Sequence, residues 1–156
     1  MASGARIQIA TRYDAALASH GAAIAALHCG APPSSALHAA GLLRDALIGA
    51  QSPRSFAQVS APKLGGAWSL HCAALGAPVR SVVLFSSISA LIGNAGQANY
   101  AAANTGMDGL ACSRAADGLA GLSMQWPAIS GIGMAAAMQS SAMDAMSISG
   151  VTAASL

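Results

Sequence analysis

The apolar positions of this 156-residue chain fall into short runs separated by longer Ala-rich stretches. The clearest run is Val82–Ser87 (VVLFSS), continuous and rich in β-branched residues. Such a run suits a strand of a sheet covered on both faces. Ala36–His38 predicts a second, short buried strand entering a turn at Ala39–Gly41, and Leu122–Trp126 a third, broken by Pro127. Arg6–Ala10 alternates and predicts a further short strand. Helices are expected over Tyr13–Leu27, capped by Asp14, over Ser55–Leu75, and over Gln97–Gly118, which ends at a glycine. Pro62 has no amide hydrogen for a preceding turn, so it marks a helix start or a kink. Cys29–Ser35, Gly76–Pro78 and Ile88–Gly96 read as loops. Gly131–Leu156 is Gly-, Ser- and Met-rich and weakly patterned, with one short helix near Met134–Met146.

Strands alternating with helices make the class α/β with a parallel sheet. Sheets of this kind bind ligands beyond the C-terminal ends of their strands. Three strand-to-loop transitions therefore form the candidate site on one rim: Ala39–Gly41, Ser86–Ser89 and Trp126–Ala128.

Composition changes this picture in one respect. Hydrophobic residues make up 54% of the chain and charged residues 8%, against roughly 25% charged in typical soluble domains. The expectation is a chain whose bare faces meet other protein. The formal net charge is +2 and the basic residues are scattered, which argues against a nucleic-acid partner. No apolar run reaches the roughly 18 residues of a membrane span, and residues 1–14 lack a signal-peptide core, so no membrane is expected. A cytoplasmic location is expected, with a plastid as the alternative. Cys29, Cys72 and Cys112 are odd in number and form no CxxC pair, so no metal site is expected.

The chemistry lies in a spacing. Ser87 closes the strongest strand, Tyr100 follows thirteen residues later, and Asn104 sits one helical turn beyond it on the same face. Lys63, the only lysine in the chain, precedes Ser87 by 24 residues. Ketone reduction needs a hydride and a proton for the new alkoxide. A phenol can give that proton, and a nearby ammonium should lower its pKa of about 10. A serine hydroxyl can hold the carbonyl oxygen, and an asparagine can orient the lysine or a water.

The stretch Leu84–Asp108 (LFSSISALIGNAGQANYAAANTGMD) resembles the active-site block of polyketide-synthase ketoreductase domains, within the short-chain dehydrogenase/reductase superfamily. The likeness continues upstream through His38–Asp45 (HAAGLLRD) and Pro62–His71, and downstream through Leu119–Trp126 and Gly131–Ala135. It covers roughly residues 6 to 140, which predicts a partial reductase domain over 1–140 and a weakly structured tail over 141–156. The resemblance implies a Rossmann-like, doubly wound parallel sheet with helices on both faces, entered here without the first two strands and their Gly-rich turn. It implies Tyr100 as proton donor, Ser87 on the ketone oxygen, Lys63 on the nicotinamide ribose and on the acidity of Tyr100, and Asn104 in support of the lysine. Ala39, Ala40 and Gly41 would lie against the cofactor, and Pro127 and Ala128 near the nicotinamide. The implied cofactor is NADPH, and the implied substrate a β-ketoacyl thioester on an acyl carrier protein. The implied partners are the rest of the reductase domain or neighbouring synthase domains.

Two positions bear on product stereochemistry. Asp45 ends an LxD-like triplet (Leu43-Arg44-Asp45), and Ile92 stands eight before Tyr100, where the opposite stereochemical class carries Trp. Both point to a D-configured 3-hydroxy product. His38 reads as a satisfied turn residue rather than a base. Two alternatives stay open: a non-catalytic remnant of such a domain, and a stand-alone reductase of small carbonyl compounds.

Overall fold

The computed structural model describes residues 34–76 and 78–127. The strand expected at Arg6–Ala10, the helix over Tyr13–Leu27, Ala128 and everything beyond it lie outside the described residues.

Three parallel strands, β1 (Ser35–His38), β2 (Ser81–Ser87) and β3 (Leu122–Trp126), form a sheet in that spatial order. Leu37 faces Val83, Val83 faces Leu122, and Ser87 faces Trp126. Parallel neighbours need a crossover. The first runs through helix α1 (Pro53–Ser60), a π-helical turn at Ala61–Gly65 and helix α2 (Gly66–Leu75). After β2 comes a single-turn helix, α3 (Ser89–Ile92), inside the stretch expected to be loop. The second crossover is completed by helix α4 (Ala98–Ala116).

Local chemistry explains the boundaries. Ser52 caps α1 in a reciprocal capping box with Ser55, and Pro53 occupies the first turn, so the helix starts two residues before the expected Ser55. Pro62 removes an amide donor, and the chain answers with a π-turn instead of a break. At the end of α4, Gly118 takes φ +71° and lets the Leu119 amide reach back to the Arg114 carbonyl at 2.8 Å.

The period-2 pattern of β2 buries Val82, Leu84 and Ser86. Val82 and Leu84 pack with Ala67 of α2 and Met107, Leu110 and Ala111 of α4, so both helices cover one face of the sheet. α4 also approaches the π-turn closely: a Cβ on Gly106 would sit 2.8 Å from Leu64 Cδ2. The other face carries Leu37 (65% exposed), Leu122 (54%), Met124 and Trp126, with Phe85 stacked on Trp126 at 5.7 Å between centroids. That apolar face is the structural counterpart of the chain's high hydrophobic fraction.

Candidate active site

The C-terminal ends of β1 and β2 bring together residues far apart in sequence. Lys63 projects from the π-turn and is 2% exposed. Its Nζ donates to the carbonyl of Phe85 at 3.3 Å and lies 4.9 Å from the centroid of the Tyr100 ring. A buried ammonium is costly to desolvate, and burial lowers the Lys63 pKa from 10.5 to about 8, with Asp108 opposing. Ser87 and Asn104 both act on the Tyr100 hydroxyl, each favouring its ionised form against the effect of burial. The four residues picked from sequence spacing thus converge at one place.

Two features differ from expectation. The Tyr100 pKa is raised, chiefly by burial; Asn104 and Ser87 pull it down and Asp45 adds to the rise. Lys63, whose ammonium lies 4.9 Å from the ring centroid, is not among the causes of that rise. Asn104 does not reach the lysine either. Its Nδ2 donates to its own helix, at the Tyr100 carbonyl 2.8 Å away, while its buried Oδ1 has no partner among the described residues.

Sequence reasoning missed the residues that hold these groups. The Ser87 hydroxyl accepts from the Ser89 amide at 3.2 Å and the Ser89 hydroxyl at 3.0 Å. Fully buried Asn99 donates to the Arg44 carbonyl at 2.8 Å, and its Oδ1 accepts from the Tyr100 amide at 2.7 Å. Gln97 donates to Asp45 at 3.0 Å and accepts from Asn94. These amides strap the loop carrying Asp45 to the start of α4. Leu42 and Leu43 of that loop pack on Val59, Tyr100 and Ala103. The polar residues of GQANY carried this signal, although spacing alone did not reveal their partners. Among the rim residues, Ala39, Ala40 and Pro127 are exposed, Gly41 is half-buried, and Ile92 is exposed at the end of α3.

The rim can be tested for a nicotinamide cofactor on these groups. Lys63 uses one of its three ammonium protons on Phe85, leaving two donors for ribose hydroxyls. The unpartnered Asn104 Oδ1 adds an acceptor in the same cluster. The donor set therefore fits a vicinal diol beside a carbonyl. Among the described residues there is no group of three or more His, Cys, Asp or Glu that could hold a metal ion, and no helix long and apolar enough to cross a membrane.

The profile of the KR domain matches residues 3–131. Over 122 residues (77% of this chain) the sequence is 45% identical to the phenolphthiocerol synthesis polyketide synthase type I Pks15/1 of Mycobacterium marinum. Over 108 residues, 67% of this chain, it is 44% identical to the polyketide synthase GfsA of Streptomyces halstedii. The chain spans 6% of the first relative's length and 1% of the second's. Among solved structures, the first ketoreductase of the tylosin polyketide synthase is similar with a TM-score of 0.69 and 42% identity, covering 78% of this chain and 26% of that one. An A1-type ketoreductase is similar with a TM-score of 0.76 and 31% identity, covering 86% and 28%.

Proposed function

Because the chain belongs to the KR domain family, we propose that it reduces a β-ketoacyl thioester to the 3-hydroxyacyl thioester with NADPH, as part of a larger polyketide synthase. The substrate is carried on an acyl carrier protein and reaches the open rim at the ends of β1 and β2. The observation that carries this reading is the convergence of Lys63, Ser87 and Tyr100 there.

When bound, the nicotinamide supplies the hydride for the carbonyl carbon. Lys63 holds the ribose hydroxyls with its two remaining donors, and Ala39, Ala40, Gly41 and Pro127 line the approach. Ser87, its hydroxyl already steered by Ser89, donates to the ketone oxygen and fixes the carbonyl. Tyr100 gives its hydroxyl proton to that oxygen as negative charge grows. Its raised pKa keeps the phenol protonated at neutral pH, and an alkoxide is basic enough to take the proton from it. Asn104 steadies the Tyr100 turn of α4 and offers Oδ1 to a hydroxyl or water of the proton path. Asp45, tied to Gln97, and the small Ile92 at the rim support a D-configured product.

The test is Tyr100→Phe, assayed with a β-ketoacyl N-acetylcysteamine thioester by the loss of NADPH absorbance. Reduction should fall by at least about 1000-fold while NADPH binding stays within a few-fold. Turnover retained in Tyr100→Phe removes the phenol from the proton-donor role.

A further inference from the structure

His38 ends β1 and is buried. Its Nε2 lies 2.8 Å from the carbonyl oxygen of Lys63, 25 residues away in the chain. A carbonyl only accepts, so Nε2 carries the proton. The accepting carbonyl belongs to the π-turn that Pro62 forces on the crossover, where the regular i to i−4 ladder is interrupted. Three residues after His38, Gly41 faces the same lysine. A Cβ there would sit 2.9 Å from Lys63 Cε and 3.5 Å from Nζ, inside contact distance of a side chain with almost no exposed surface. One four-residue turn thus touches the lysine at its backbone and at the end of its side chain.

We propose that the His38–Gly41 turn is the seat of the lysine. His38 acts as a positioning residue through the Lys63 carbonyl, and Gly41 leaves the channel through which the ammonium reaches the Phe85 carbonyl and the Tyr100 ring. This rests on the reading of Lys63 as the cation of the reductase site. It gives Gly41 a duty toward the protein itself, separate from any approach to cofactor. The titratable groups bearing on the seat are His38 from β1 and Tyr100 and Asp108 from α4. Burial holds the His38 pKa below 6.5, so the imidazole is neutral at neutral pH and adds no repulsion to the ammonium.

The only lysine in the chain makes the test direct. The full chain, labelled with [13Cε]lysine, shows one lysine signal, whose pH titration is followed by NMR without any turnover. The wild-type inflection is expected near 8, as burial of the ammonium requires. In His38→Phe the freed π-turn should release the side chain to water and move the inflection up by at least about one unit, toward the ordinary lysine value. His38→Gln, whose amide can still donate to the carbonyl, should keep it near 8. Gly41→Ala should move it upward with the His38 hydrogen bond retained. An unchanged inflection in folded His38→Phe overturns the role of His38. If that variant does not fold, an unchanged inflection in Gly41→Ala overturns the seat, as does a wild-type lysine titrating at its ordinary value. These outcomes are separate from Tyr100→Phe turnover, which alone decides the proposed reaction.

Discussion

Lys63 should cost this protein stability whenever it is charged. The perturbation is Lys63→Met, which keeps the length of the side chain and removes the charge. Burial lowers the folded-state pKa from 10.5 to about 8. At 1.36 kcal/mol per unit, the charged form is disfavoured in the fold by about 3 kcal/mol. A depressed folded pKa makes a contribution that is fully present above the unfolded value and lost as pH falls through the folded value. For Lys63 the relevant window is thus 10.5 down to about 8, and below it the whole penalty is felt. Lys63→Met has no such penalty at any pH, although it also gives up the hydrogen bond to Phe85, worth about 1 kcal/mol. Urea denaturation of both proteins from pH 7 to 10.5 isolates the pH-dependent part, because other groups titrate in both. The stability difference should move by about 3 kcal/mol in favour of the wild type as pH rises. A difference that stays constant across this window would refute the claim that the ammonium is buried at a cost.

The same titration should appear in turnover. With Lys63 protonated in the active form, the reduction rate should fall as pH rises through about 8, and Lys63→Arg, charged throughout, should lose that limb even if slower; a wild-type rate level to pH 10 counts against the cation's role. Asn99→Ala removes two hydrogen bonds of a fully buried side chain, one to the Arg44 carbonyl and one from the Tyr100 amide. It should cost about 2 to 3 kcal/mol in thermal or urea unfolding and slow reduction by loosening the start of α4; an unfolding midpoint equal to wild type would show that the strap to the Asp45 loop is not structural.

Much of this molecule was legible from local pattern. The Val82–Ser87 run announced the central strand, and strand–helix alternation announced the parallel sheet. The spacing of Tyr100 and Asn104 placed them on one helical face, because an α-helix repeats every 3.6 residues whatever surrounds it. Pro62 announced an irregularity, since a missing amide hydrogen is a property of the residue itself. The single-turn helix Ser89–Ile92 went unseen, being too short for a periodicity to register.

What tertiary structure alone decided is how far each group is buried and which partner it meets. Spacing named Lys63 and Tyr100, but only the fold put the ammonium over the ring face, where burial governs the acidity of both groups. His38 meets Lys63 across 25 residues and Asn99 meets Arg44 across 55. Hydrogen bonds and desolvation depend on distances in space, and the chain path between such residues is set by the packing of the whole sheet and its helices. Local periodicity therefore carries the elements and the candidate chemistry, while the charge state and aim of each group belong to the folded molecule.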